Sequence, residues 1–226
     1  YLNDGNAAAV WGHTTIFGNQ PDKTSVSAII GTGLGGGIIH KGTVVAGSRG
    51  FGGELGHVLI PTESLTAMLP ELVGVTAHCN CGRDGCLESL CSLTAIRKTL
   101  LPHYLQKHSD HALASLDPAK AAIQVRGLAA AGDDMCQEIF RVQARALGLF
   151  FDQMINVFDP DTLIVGGGAI ETEEAFQTWF LDEVRQGMPG QREEQLSIPI
   201  EIMPNGDTAG ARGAAIEAQR VLLSKN

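Results

Sequence analysis

The 226-residue sequence predicts an α/β fold, built as one three-layer lobe with an all-helical block in its middle. Three observations point there. Short β-branched runs at 26–30 and 162–165 end in glycine clusters. Across 134–157, Met135, Ile139, Val142, Ala146, Leu149, Phe150, Met154 and Val157 recur mostly at steps of three or four, the period of a helix. Strands and helices interleave, and the strand-turn-helix unit over 162–186 predicts parallel pairing there.

The elements follow in order. Asn3-Asp4 ahead of Ala7-Ala8-Ala9-Val10 reads as a helix start, because short polar side chains cap free N–H groups. Residues 26–30 form a strand and 31–37 a glycine turn; 38–45 form a second strand with a turn inside it or at its end. A Gly/Ser-rich loop spans 46–56 and a third strand 57–60. The weak pattern at 61–78 reads as an insertion with a short helix. Residues 88–108 are helical, with Pro102 kinking or splitting the helix. Helices are expected at 118–131 and 134–157, and a buried strand at 162–165. A helix over 171–186 carries Glu171, Glu173 and Glu174 in its first turn, where the dipole favours them. A strand at 196–203 and a helix at 208–224 close the chain.

A net charge of −9 argues against non-specific nucleic-acid binding, which needs a positive field. No apolar run approaches the ~20 residues of a membrane span. The chain opens on Tyr1 and shows no signal peptide, so the expectation is a cytoplasmic segment of a longer gene product. Five cysteines is an odd number, and three cluster, which fits a reducing compartment and a metal better than disulfides. Cys91 and Cys136 fall in helical patterns and are expected to be inert core residues.

The cluster is Cys79-Asn-Cys81-Gly-Arg-Asp-Gly-Cys86-Leu-Glu88. Glycine turns let neighbouring thiolates converge on one zinc, and a tetrahedral site needs a fourth ligand. His57 is favoured over His78, whose adjacency to Cys79 cramps the geometry. With no open position the zinc is structural; the bland alternative is free thiols in a loop. Gly31-Thr32-Gly33-Leu34-Gly35-Gly36-Gly37 formally matches G-x-G-x-x-G, but strand residues follow it, so it is a hairpin turn. Its bare amides and the Thr32 hydroxyl suit a phosphate; an ordinary glycine hairpin is the alternative. Gly166-Gly167-Gly168 ends a strand where α/β sheets meet ligands, or serves only tight strand-to-helix packing. Asp4 alone reads as a helix cap.

Together, Asn3-Asp4-Gly5-Asn6-Ala7-Ala8, the 31–36 glycine run, Glu54-Leu55-Gly56-His57, the cysteine cluster and the closing 207–215 segment resemble the ROK family of sugar kinases and sugar-responsive repressors. The resemblance runs over nearly the whole chain. It implies a lobe of the actin-like (ribonuclease H-like) ATPase fold, a mixed sheet flanked by helices, covering 1–226 with a zinc-binding segment at 54–88. It implies ATP-dependent phosphorylation of a hexose or N-acylhexosamine, with Asp4 as catalytic base. Asn3, Glu54, His57 and Glu88 match sugar-binding positions, and His57, Cys79, Cys81 and Cys86 the zinc ligands. Gly31, Thr32, Gly33 and Gly35 match a phosphate loop, and Gly166, Gly167 and Gly168 the adenosine side. ATP, Mg²⁺ and structural Zn²⁺ follow, as does a homodimer or homotetramer. The family's N-terminal lobe, with its Asp-x-Gly-Gly-Thr motif, has no counterpart here, so the chain by itself is expected to show little kinase activity. The 57–79 stretch is also longer than the family's habit. A repressor of the same family, or a non-catalytic zinc-stabilised binding domain, are the competing readings.

Overall fold

A computed structural model describes residues 2–18, 20–190 and 192–223. The ends of the expected lobe, Tyr1 and 224–226, lie outside the described residues. Helix α1 (Asp4–Phe17) starts where Asn3 caps it, its side chain accepting the Asn6 N–H at 2.7 Å. The strands β1 (Ser25–Ile30), β2 (Leu34–His40), β3 (Thr43–Val44), β4 (Thr162–Gly166) and β5 (Ile200–Ile202) form one sheet in the order β3-β2-β1-β4-β5. β1 pairs with β2 antiparallel and with β4 parallel; β4 pairs with β5 parallel. The sheet is therefore mixed, with the parallel pairing around β4 that the 162–186 unit predicts.

Alternation along the strands builds three layers. Val26, Ala28, Ile30, Leu163 and Val165 face the main core. Ile164 points the other way, onto Ala8, Met203 and Ala209. The outer layer there is α1 with the closing helix, which is α9 by the numbering that follows. The connecting helices are α2 (Thr62–Met68), α3 (Leu87–Leu90), α4 (Leu93–Ala95), α5 (Leu101–Leu105), α6 (Pro118–Ala130), α7 (Asp134–Phe158), α8 (Glu174–Gln186) and α9 (Gly206–Leu223). α7 is the central rod of the main core, with Ile139, Val142, Ala146, Phe150 and Ile155 buried at helical spacing. Cys91 and Cys136 are fully buried, as expected of core residues. Among the described residues no helix is long and apolar enough to cross a membrane.

Five local readings change. β2 begins at Leu34, so Gly35, Gly36 and Gly37 are strand, not turn. The reason is α1, which lies directly on them: a Cβ on Gly37 would sit 2.7 Å from the Ala9 Cβ and 2.7 Å from Asn6 Oδ1. The expected third strand at 57–60 is a 3-10 turn (Leu55–His57) followed by a single bridge from Leu59 to Cys86. The expected 88–108 helix is broken into α3, α4 and a π turn (Ile96–Leu100) running into α5. The widened turn accommodates Pro102, which has no N–H to return to the preceding turn. Helix α8 begins only at Glu174, leaving Glu173 as its N-cap and Glu171 outside, and β5 is confined to three residues behind a 3-10 turn.

Because β1, β4 and β5 are parallel, their C-terminal ends share one edge of the sheet. Gly31, Gly167 and Met203 follow those ends. In open α/β sheets this edge is where ligands bind.

Candidate functional site

Along that edge lies a cleft of about 500 Å³ lined by Asp4, Gly5, Gly31, Thr32, Gly33, Gly35, Glu54 and Glu88, among others. The first turn of α1, the glycine turn, the loop before His57, the start of α3 and the start of α9, through Gly206 and Gly210, thus converge. Asp4 occupies the first turn of α1, where the positive helix end favours a carboxylate; one oxygen accepts the Gly5 N–H at 2.9 Å. Asn3 does two jobs. Its oxygen caps the helix, and its amide donates to Glu54 Oε1 at 3.2 Å. Glu88, in the first turn of α3, accepts the Leu34 N–H through Oε2 at 3.1 Å, and its Oε1 stands 3.9 Å from the Cys79 Sγ. One carboxylate therefore joins the glycine turn to the cysteine segment.

The turn itself is held from below. The Thr32 carbonyl accepts both the Thr94 hydroxyl at 2.7 Å and the Thr94 N–H at 3.1 Å, and the Gly31 carbonyl accepts the Leu93 N–H at 3.0 Å. These bonds dock the start of α4 beneath residues 31–33. Gly31 and Thr32 also line a second cavity of about 320 Å³, with Gly168 and Ala169. Gly167 borders a third space on the far side, with Met203 and Asn205. At φ +96° it takes a conformation that L side chains rarely adopt, and a Cβ there would lie 2.4 Å from the Ile30 carbonyl oxygen. Gly166 lines none of these three spaces; it is buried in β4 against Met203 and Ile29.

Behind Glu88, ligand-type atoms of His57, Cys79, Cys81 and Cys86 all lie within 4.8 Å of one another. His57 Nδ1 is 3.6 Å from the Cys79 Sγ, and the Cys81 and Cys86 sulfurs are 3.6 Å apart. A tetrahedral zinc with ~2.3 Å bonds to sulfur needs ligand atoms about 3.7 Å apart, so the donor set and its spacing fit that ion. His78 does not join: its Nδ1 is 2.6 Å from Asp84 Oδ1, on the surface. Without an ion, burial pushes the Cys86 thiol up to about 12, aided by its two neighbouring thiols, and burial also raises Cys79. The Arg83 guanidinium pulls Cys81 down to about 6.

Three further residues near the site have roles that the motifs do not assign. Arg83 donates to the His57 carbonyl at 3.1 Å. Asn6, fully buried, donates to the Gly52 carbonyl at 2.7 Å and ties α1 to the loop before Glu54. Arg126, on α6, donates to the Gly168 carbonyl and lines the second cavity. Asn6 belongs to the motif over 3–8 and Arg83 to the cysteine cluster, but neither motif shows which carbonyl each would meet. Arg126 carries no local signal.

A model of the ROK family matches residues 1–221. A glucokinase of Thermotoga maritima is 33% identical over 168 residues, which is 74% of this chain and 49% of that protein. An N-acetyl-D-glucosamine kinase of Pectobacterium carotovorum is 29% identical over 198 residues, 83% of this chain and 56% of that protein. The chain thus spans about half the length of the curated relatives it matches. Among solved structures, a ROK family glucokinase from Streptomyces griseus in complex with glucose and AMPPNP superposes with TM-score 0.75 at 28% identity, covering 97% of this chain and 67% of that one. A ROK family transcriptional regulator, a homologue of the E. coli MLC protein, superposes with TM-score 0.73 at 27% identity, covering 96% of this chain and 51% of that one.

Proposed function

The chain belongs to the ROK family, with the actin-like ATPase fold of that family's kinases, and we propose that it supplies the catalytic base, sugar ligands and zinc segment of an ATP-dependent hexose or N-acylhexosamine kinase. One observation carries the reading. A carboxylate at a helix start, two further carboxylates and a glycine-rich turn border one cleft at the ligand edge of the sheet.

In this mechanism the sugar sits between Glu54 and Glu88, whose oxygens accept hydrogen bonds from its hydroxyls. Asn3 steadies Glu54 and offers a further polar contact. Asp4 accepts the proton of the attacking hydroxyl as its oxygen bonds to the γ-phosphorus and the bond to the ADP oxygen breaks. The amides of Thr32 and Gly33 face the phosphates, and Gly168 borders the adenosine side. Mg²⁺, when bound with ATP, neutralises phosphate charge. Zinc would be held by His57, Cys79, Cys81 and Cys86, fixing the His57 ring and the Glu88 segment so that the sugar meets preorganised acceptors.

The test is ADP release by the full-length gene product with Mg-ATP and glucose, N-acetylglucosamine, N-acetylmannosamine or fructose. Release with one sugar is expected, and Asp4→Asn should lower kcat by about 10²–10⁴-fold while sugar affinity changes little. Equal turnover in the variant would remove Asp4 from the base role. The likeness to the MLC-type regulator supports a second reading, a sugar-sensing repressor. Sugar binding with no ADP release from any sugar would favour it.

A further inference from the structure

The cavity beside the glycine turn has a floor and walls of Leu93, Ile96, Ala122, Ile123, Phe140 and Ala169, and is open to Gly31, Thr32 and Gly168. One charged side chain lines it: Arg126. α6 presents Ala122, Ile123 and Arg126 to it at i, i+1 and i+4, on one helix face. Ala121, Ala122, Val125 and Ala129 of α6 are buried in the main core, so the helix is not free to turn. Arg126 is an exposed residue, yet its guanidinium is not adrift: Nη1 donates to the Gly168 carbonyl.

A slot with aliphatic walls, an aromatic floor and one planar cation suits a flat, apolar-faced ring with polar edges. A guanidinium stacks on such a ring as well as attracting it electrostatically, and one already tethered loses little freedom on doing so. Resting on the kinase reading above, we infer that Arg126 clamps the nucleotide base: tethered to Gly168, it lies over the face of the purine and closes α6 against the loop that follows β4. The phosphates lie elsewhere, against the amides of Thr32 and Gly33, so Arg126 is a positioning and affinity residue for the base and takes no part in proton or phosphoryl transfer.

The experiment uses the full-length gene product. Kd for ADP and for inorganic tripolyphosphate is measured by calorimetry, and kcat and KM for ATP by ADP release, for wild type, Arg126→Ala and Arg126→Lys. Arg126→Ala should raise the ADP Kd and the ATP KM by about tenfold, with kcat and sugar KM nearly unchanged and tripolyphosphate affinity unaltered. Arg126→Lys should recover little, because an ammonium cannot stack as a planar fork. Both variants exchange an exposed side chain, and matching circular dichroism confirms that they fold. If Arg126→Ala binds ADP as wild type does, the clamp is wrong while the kinase reading stands. A parallel loss of tripolyphosphate affinity, or full recovery by lysine, would make Arg126 a phosphate-attracting charge and overturn the base assignment. A wild-type protein that binds no ADP and phosphorylates no sugar would overturn both readings.

Discussion

His13 sits on α1 with its ring buried against β1, its Nδ1 2.8 Å from the Ser25 hydroxyl and its Nε2 without a partner. Burial lowers this imidazole to about 4; Arg220 adds to the shift and Asp161 opposes it. The unfolded chain titrates near ~6.5, so between there and about 4 the unfolded state holds a proton that the folded state lacks. Stability therefore rises with pH across that window and is lost as pH falls from ~6.5 toward about 4. Urea midpoints of wild type and His13→Asn, each taken at about pH 7.5 and about pH 5, read this directly. The acid-induced drop should be smaller in the variant. An equal drop in both proteins would assign the acid lability to other groups. The same scale explains Asn3, where one short side chain caps α1 through its oxygen and braces Glu54 through its amide. Cap chemistry was readable from residue type, whereas the brace needs Glu54 brought back from 51 positions away.

At the scale of elements, α1 and α9 approach so closely that a Cβ on Gly213 would lie 1.6 Å from the Ala7 carbonyl oxygen. Alanine normally favours a helix over glycine by about 1 kcal/mol. Here the overlap is with backbone, which cannot swing away, and overpacking of about 1–3 kcal/mol or more outweighs the propensity gain. Gly213→Ala should thus destabilise by about 2 kcal/mol. Gly127 offers the contrast: it lies mid-α6 with nothing within 4 Å of an added Cβ, so Gly127→Ala should stabilise by about 1 kcal/mol. Chemical denaturation of the pair checks both signs; a stabilising Gly213→Ala would mean that α1 and α9 pack less tightly than described. Closeness of this kind also governs β2, whose glycines read as a turn because turn glycines and glycines under a helix look alike in sequence.

For the molecule as a whole, side chains of the cysteine segment tie it to the ligand cleft and its border. Glu88 bonds the Leu34 amide, and Arg83 bonds the His57 carbonyl. The insertion at 61–78 contributes Leu65, Leu69, Leu72 and Ala77 to the main core, so it is packed into the lobe. If zinc holds His57, Cys79, Cys81 and Cys86, removing it frees the stretch that carries Glu54 and Glu88. Elemental analysis should find about one zinc per chain, and Cys81→Ser or a strong chelator should remove it. Thermal midpoint should fall by at least ~5 °C, and sugar affinity should weaken with it. Purified protein without zinc, or an unchanged midpoint once zinc is gone, would refute the staple.

Periodicity and residue chemistry were enough for the α/β class, the long helix over 134–157, the strands ending in glycine and the cluster of three cysteines, because each is a local pattern: a repeat of 3.6 or 2, a cap, a ligand type at short spacing. Tertiary structure alone decided that β2 starts at Leu34, that 57–60 is a turn with one bridge, that His57 rather than His78 faces the sulfurs, and that Arg126 meets Gly168. Those outcomes depend on which backbone lies within a few ångströms of which side chain. Such distances arise when parallel strands bring their ends to one edge and helices close over them, and no single stretch of sequence contains them.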